Sequence, residues 1–581
     1  MNDNDQQSGF RRRIIPPAPP SPVPARRELR RRRPANDRSL LKQAPSAEEA
    51  PGLLAAMHND AAYMPAGTAV KTRPNRPAAE APPDDTESDA GDDNTSDSEV
   101  LQSSGSMAIA TLLSRLTGFL RNMLITASLG GAIASAFNTA NQLPNIITEI
   151  VLGAVLTSLV VPVLVRAEKE DPDHGEAFIR RLFTLSVSLL GTVTILSVLL
   201  APNLVKMALS SESKVNLAIS TSFAYWLLPQ IFFYGVFALL MAVLNTKNVF
   251  KPGAWAPVIN NIITLTVLVL YWVLPGELNP KDHSVGIFNP HVLLLGIGTT
   301  TGVIVQALIM LPYIRKSRVS LKPLWGIDSR LKQFGGMAAA IIVYVAISQF
   351  GYFVTSRIAA SADALAPNIY QQAWLLLQVP YGIIGVTLLT AIMPRLSRNA
   401  ADGDDKAVVE DLVMGSKMTY IALIPIVIFF TIFGTDIAKG LFAYGKFDVE
   451  AATVLGWTLS FSAFTLLPYS TVLLHLRVFY AREEAWTPTF IIAGITVTKV
   501  ALSWLATMVG TEPQKLVILL GAANGFGFVA GALIGGFLLR RQLGDLGTKQ
   551  VTRTCVWALM SSLVGGSMAF GLHYLLKFAM R

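Results

Sequence analysis

Residues 112–122 read LLSRLTGFLRN and lie inside an apolar stretch running from Met107 to about Thr126. The stretch is long enough to cross a bilayer, yet it carries two arginines, Arg115 and Arg121. An arginine at the bilayer centre costs about 2.5–3.5 kcal/mol on insertion scales. A span that keeps two of them needs something other than lipid to face. Six residues apart, they lie about 9 Å apart along a helix axis and roughly 120° around it, so both can border one cavity. Guanidinium groups stay charged and bind phosphate oxygens through a planar fork of donors. Arg115, Arg121 and the adjoining Asn122 are therefore candidates for an anionic headgroup site. Two other readings stay open: the arginines snorkel to the interfaces, or they pair with Glu149, the one carboxylate within the spans of the first lobe.

The rest of the chain supplies the context. Of its 581 residues 51% are hydrophobic and 15% are charged, whereas soluble domains carry about 25% charge. Apolar runs of about 20 residues recur, the length a helix needs to cross the hydrocarbon. Thirteen are visible, the first near 107–128 and the last near 551–576. The single cysteine, Cys555, excludes an intramolecular disulfide or a cysteine-cluster metal site. The histidines lack metal spacing, and the glycine-rich GAANGFGFVAGALIGG (521–536) has no P-loop lysine. No enzyme, metal or cofactor signature is present, and no nucleic-acid partner is expected. The sequence predicts an all-α polytopic membrane protein.

Residues 1–106 differ in kind. A basic block from Arg11 to Arg38 and an acidic run from Glu80 to Glu99 have no apolar period, so this segment is expected to be a disordered cytoplasmic tail. It lacks the order of a signal peptide. Its basic block suits anionic membrane lipids, at about 1 kcal/mol per charge near the surface.

Lysine and arginine in loops after even-numbered spans outnumber those after odd-numbered spans by about three to one, Arg477 being counted with the loop after span 10. By the positive-inside rule the even loops and the N-terminus face the cytoplasm. The chain also repeats itself. LTSLVVPVLVR (156–166) resembles LLTAIMPRLSR (388–398) at a shift of 232, with Gly153 matching Gly385 and Pro162 matching Pro394. AYWLLP (224–229) resembles AFTLLP (463–468) at a shift of 239. A shift of six spans preserves orientation, which predicts two six-helix lobes related by a parallel repeat, with a cavity between them. The lobes are expected at 107–330 and 331–545, followed by one extra C-terminal span in 546–581.

The stretches SRLTGFLRN (114–122), AFNTANQLPN (136–145) and VPYGIIGVTLLTAIMPRLSR (379–398) resemble the MurJ/MviN family. That family comprises lipid II flippases of the multidrug/oligosaccharidyl-lipid/polysaccharide exporter superfamily. The resemblance covers about residues 107–577 and implies alternating access in the bacterial cytoplasmic membrane. The implied cargo is lipid II, an undecaprenyl-diphosphate-linked disaccharide-pentapeptide carried outward for peptidoglycan synthesis. Cell-wall synthesis and division proteins are implied as partners. Arg115 and Arg121 match span-1 arginines expected to hold the diphosphate.

Several positions depart from the family pattern. Its acidic residue near the start of span 2 falls on Ser135, its paired arginines on Thr148 and Glu149, and its span-8 arginine on Leu375. Arg357, at the outer end of span 7, is a candidate substitute for a lost charge. Some members resemble sodium-driven transporters; here the span-7 acid falls on Thr355 or Ser356 and the span-11 pair on Lys499 and Ser503. Lys499 would then bring its own cation to the sodium position. The family has fourteen spans, two of them beyond the lobes, and the sequence offers thirteen. Rival readings are a polysaccharide-unit flippase, a multidrug exporter and a transport-dead division scaffold. The paucity of carboxylates in the first lobe disfavours a cationic cargo.

Deleting residues 1–100 is expected to leave membrane insertion and peptidoglycan synthesis intact in cells that depend on this chain. A truncated protein that inserts normally while peptidoglycan synthesis stops would show that the tail is needed.

Overall fold

The computed structural model describes residues 93–153, 164, 167, 171–173, 175–326 and 335–579, apart from positions 211, 248, 483, 485 and 511. Most of the expected tail and the end of span 2 (154–163) lie outside these residues. Every regular element among the described residues is helical. In the first half these are α1 (Asp93–Leu129), α2 (Gly131–Thr148, continued by a π-helical turn at Glu149–Gly153), α3 (Glu176–Leu199), α4 (Leu217–Leu227 and Gln230–Thr246), α5 (Lys251–Val273) and α6 (Pro290–Leu308 and Met310–Lys316). A short helix, Ala201–Ala208, links α3 to α4. The second half holds α7 (Gly335–Ala362), α8 (Ala366–Pro380, a π-helical turn at Tyr381–Gly385, and Val386–Asp402), α9 (Asp405–Phe442) and α10 (Val449–Ser462, a 3₁₀ turn at Ala463–Thr465, and Leu466–Ala481). α11 (Trp486–Val509), α12 (Pro513–Leu543) and α13 (Thr548–Ala579) complete it.

Nine of these helices are long and apolar enough to cross a membrane, and the bent α4 pair makes ten. The other three, α1, α2 and α8, are the helices whose polar residues meet one another, as described below. α8 is divided by its π turn into helices of 15 and 17 residues, and the described part of α2 ends at Gly153. One boundary differs from the sequence expectation: α1 begins at Asp93, so helix continues into residues assigned to the tail. Asp93, Asp97 and Glu99 lie in its first two turns, where the helix dipole favours negative charge. An apolar period cannot reveal where a helix continues beyond its apolar stretch.

Buried apolar side chains form two main clusters. One runs from Ile125 to Ile314, with Phe137 and Phe223 edge to face at 5.2 Å. The other runs from Ile341 to Leu539 and includes Tyr469 and Phe528, edge to face at 5.1 Å. The internal repeat is visible in the backbone. The π turns Glu149–Gly153 and Tyr381–Gly385 are separated by 232 residues, the shift that aligns the two sequence segments. The second pair of repeated motifs behaves alike: α4 bends by 41° between Leu227 and Gln230, and α10 tightens to a 3₁₀ turn at Ala463–Thr465. Pro229 cannot donate to the helix ladder, and the break leaves carbonyls short of partners. Thr300 of α6 answers this: its hydroxyl donates to the Trp226 carbonyl at 2.7 Å and accepts from Gln230 Nε2 at 3.1 Å.

α9 and α10 cross at Gly434 and Gly456. A methyl group on Gly456 would run into the backbone of Thr435, which cannot move aside as a side chain can. Gly456→Val is therefore expected to cost about 1–3 kcal/mol through overpacking and to lower the melting temperature of the purified protein. Gly191→Val, with no atom nearby to obstruct it, serves as the comparison. Equal melting of the two variants would overturn the assignment of a close helix crossing.

Candidate functional site

Arg121 is held from the side. Its Nη1 donates to Asn261 Oδ1 on α5 at 3.1 Å. The Asn261 amide nitrogen donates in turn to the Ser114 carbonyl and to Thr117 Oγ1, both at 3.0 Å. One asparagine thus clamps α1 to α5 and fixes the root of the arginine, while Arg121 Nε keeps no hydrogen-bond partner among the described residues. Asn261 was not singled out from sequence. An isolated asparagine 140 residues from its arginine has no local signature.

Arg115, two turns nearer the start of the helix, faces the other lobe. Its guanidinium lies against Gly382 in the π turn of α8, where a Cβ would collide with Nη1. The aromatic residues beside it are Tyr381 and Tyr469, whose rings meet edge to face at 4.7 Å. A π turn widens the helix and is common at functional sites. Here it presents a residue without a side chain to an arginine from the opposite lobe.

Glu149, in the corresponding π turn of α2, pairs with neither arginine. It accepts a hydrogen bond from Gln349 Nε2 of α7 at 3.0 Å. Asn122 is buried, and its carbonyl receives Gln372 Nε2 of α8 at 3.4 Å. It therefore belongs to a band of polar contacts between the lobes. Gln372 also donates to Thr126 Oγ1 at 2.9 Å. Asn368 Oδ1 accepts from Thr126 at 3.2 Å and Asn138 at 3.1 Å, and the Asn368 backbone N–H donates to Ser135 Oγ at 3.2 Å. Nearby, the Lys446 amide donates to the Ala127 carbonyl at 2.8 Å, and Lys446 Nζ lies 3.1 Å from Glu277. Ser210 and Ser361 are hydroxyl to hydroxyl at 2.7 Å. These contacts close the lobes at the end of the bundle where α1 turns into α2. Arg115 lies about 21 Å inward of that turn, at 1.5 Å per residue.

Arg357 is exposed on α7, and its side chain makes no hydrogen bond or ion pair among the described residues. It is not brought to Arg115 or Arg121. Lys499 borders a cavity of about 60 Å³ inside the second lobe, lined by residues including Gln349, Tyr352, Tyr370, Trp374, Thr496 and Asn524. No carboxylate lines it. The ammonium stands 5.9 Å from the Tyr370 ring centre, within the range of a cation–π contact. Ser503, one turn further along α11, is fully buried with its hydroxyl unpartnered, and Thr355 donates to the Gly351 carbonyl at 3.0 Å. No cluster of three or more metal-ligating side chains occurs among the described residues.

Arg477 requires a correction. Counted above with the loop after span 10, it lies inside α10, with Leu476 and Phe479 buried beside it. The apolar run through Val478, Phe479 and Tyr480 was the signal that the helix had not ended.

A membrane-spanning helical bundle, duplicated internally, with an arginine of one half set against the other, is a two-lobed transporter. The sequence model of the family described as Lipid II flippase MurJ matches residues 125–580, and the chain belongs to that family. The match begins after Arg115 and Arg121, whose setting therefore rests on the geometry above. Among curated relatives, the chain is 24% identical to the probable lipid II flippase MurJ of Rhizobium meliloti (strain 1021), over 67% of this chain and 71% of that protein. It is 25% identical to the probable lipid II flippase MurJ of Vibrio cholerae serotype O1, over 81% of this chain and 88% of that protein. Among solved structures, lipid II flippase MurJ in an inward closed conformation superposes with a TM-score of 0.64 at 20% identity, covering 79% of this chain and 91% of that one. An inward-facing multidrug resistance MATE family transporter gives 0.62 at 15% identity, covering 76% and 96%.

Proposed function

We propose that this chain carries lipid II from the inner to the outer leaflet of the bacterial cytoplasmic membrane by alternating access. The observation that carries the reading is Arg115 on α1, set against Gly382 of the other lobe with Arg121 further along the same helix, in a chain of the flippase family. On this reading the lobes comprise 107–330 and 331–545, and the N-terminus is cytoplasmic. The polar seal at the α1–α2 turn is then the outer gate, closed, with the arginines nearer the inner leaflet where the cargo is made. Anionic lipids would hold the basic tail at the inner surface, and cell-wall synthesis and division proteins would be its neighbours. A cationic drug is a poor cargo for a wall that offers guanidinium groups.

Arg121→Ala is expected to abolish complementation of a strain depleted of its own flippase, with normal protein level in the membrane. Arg121→Lys should rescue only partly, because a point charge cannot reproduce the fork of donors. Full growth with Arg115→Ala and with Arg121→Ala would overturn the reading.

Energy coupling follows from Lys499. A sodium site is built from several hard oxygen ligands and usually carries net negative charge, whereas the cavity beside Lys499 is lined by no carboxylate and bears an amine of its own. We take Lys499 and Ser503 as coupling residues, with the ammonium in the position of a driving cation. Translocation of lipid II in proteoliposomes should then persist when sodium is replaced by choline at fixed voltage, and Lys499→Ala should impair it in either salt. Strict dependence on sodium would refute this coupling scheme.

A further inference from the structure

Two arginines at the inner ends of the second lobe's helices have carboxylate partners. Arg395 pairs with Asp411, and Arg482 Nη1 lies 2.6 Å from Asp405. Arg477 sits only five residues before Arg482 on the same chain segment, and it has no ion pair or hydrogen bond to its side chain among the described residues. The groups within its electrostatic reach are Tyr381 and Tyr480. Tyr381 lies in turn within reach of Arg115. A guanidinium from each lobe therefore flanks one tyrosine, immediately beside the π turn that receives Arg115.

The hydrogen-bonding inventory around Tyr381 is one-sided. Arg477 Nε and the hydroxyls of Tyr381, Tyr480 and Tyr344 are all buried without a hydrogen-bond partner among the described residues. Each can donate, and a guanidinium can only donate. A buried donor left unpaired costs about 1–3 kcal/mol. Several such donors around two fixed positive charges describe a receptor for a multivalent oxygen anion. Phosphate oxygens, with several acceptor lone pairs and negative charge, satisfy the donors and the charges together; a neutral sugar leaves the guanidinium charges unmatched, and a cation is repelled by them.

We propose that Arg477, with the hydroxyls of Tyr381 and Tyr480, forms the second-lobe half of the anion site, so that the lipid-linked diphosphate bridges Arg115 on α1 and Arg477 on α10. The inference rests on the flippase reading and deepens it by assigning the headgroup a partner in each lobe. An anion held in this way draws α1 and α10 together at the end of the bundle opposite the polar seal.

The test is binding of undecaprenyl diphosphate, against undecaprenol as the uncharged control, to the purified full chain in nanodiscs. Arg477→Gln should weaken binding of the diphosphate lipid on the order of tenfold or more, as expected for charge-assisted hydrogen bonds, with binding of undecaprenol unchanged. Arg477→Lys should recover part of the loss. Tyr381→Phe, which removes only a hydroxyl, should weaken binding about threefold and keeps the test informative should Arg477→Gln fold poorly. Undiminished affinity in Arg477→Gln, or in Tyr381→Phe where the arginine variant does not fold, would overturn the inference and leave the flippase reading intact. Failure of the unmodified chain to prefer the diphosphate lipid to undecaprenol would overturn both. Inorganic pyrophosphate that competed as well as the lipid would assign the site to a soluble anion instead.

Discussion

The arrangement depends on a group of buried amides and hydroxyls that hydrogen-bond to one another across the lobe boundary. Asn368 and Gln372 of α8 are buried among Thr126 of α1 and Ser135 and Asn138 of α2. In hydrocarbon these groups would be unsatisfied, so α8 has to dock on α1 and α2, and it does so in one register. Polar contacts between membrane helices contribute about 0.6 kcal/mol each. The five hydrogen bonds from Asn368 and Gln372 to α1 and α2 then sum to about 3 kcal/mol. That is a lock of modest strength. The two apolar clusters bury far more and stay whole. Inverting a 1:99 equilibrium takes about 5.5 kcal/mol of differential binding, a scale on which such a seal can be broken by a bound ligand while the lobes cannot.

Much of this was legible in the sequence, for reasons that are local. Helices of about 20 apolar residues declare themselves by length, and the duplication was carried by glycine and proline in register. Its most specific structural trace, the paired π turns, ends at Gly153 and Gly385, the residues that the sequence comparison had aligned. The arginines of α1 stood out because guanidinium in an apolar run is costly. What escaped was set by contacts between distant residues. Asn261 becomes meaningful only when α5 lies beside α1. Arg477 read as a loop residue because the positive charge ahead of Arg482 resembled an ordinary helix end; burial within α10 reverses that. The start of α1 at Asp93 was hidden because the stretch DNTSDSEVLQSSG (93–105) has no apolar period to detect.

The departures from the family pattern also acquire a physical meaning. Ser135, standing where an acid was expected, accepts the Asn368 amide and so serves the seal. Glu149, standing where a cation was expected, engages Gln349 across the lobe boundary. Gln349 also borders the cavity that holds Lys499. Gln349 thus joins the lobe boundary, through Glu149, to the cavity that Lys499 borders. Any motion of α7 against α2 acts on that hydrogen bond, which links the second-lobe cavity to the lobe boundary.

α1 joins the two ends of the machine. Thr126 belongs to the seal and Arg115 to the proposed anion site, eleven residues apart and so about 16 Å along one helix. The segment between them contains no proline or π turn, so it transmits displacement as a rod. Asn261 pins the stretch from Ser114 to Arg121 to α5, so Arg115 lies within the pinned stretch and Thr126 five residues beyond it. A small tilt about that stretch, as α1 closes on an anion at Arg115, displaces Thr126 further and acts on its contact with Asn368. On this geometry, closing around an anion at the inner end and opening the seal at the outer end are one displacement of α1. The asparagine clamp acts as the fulcrum.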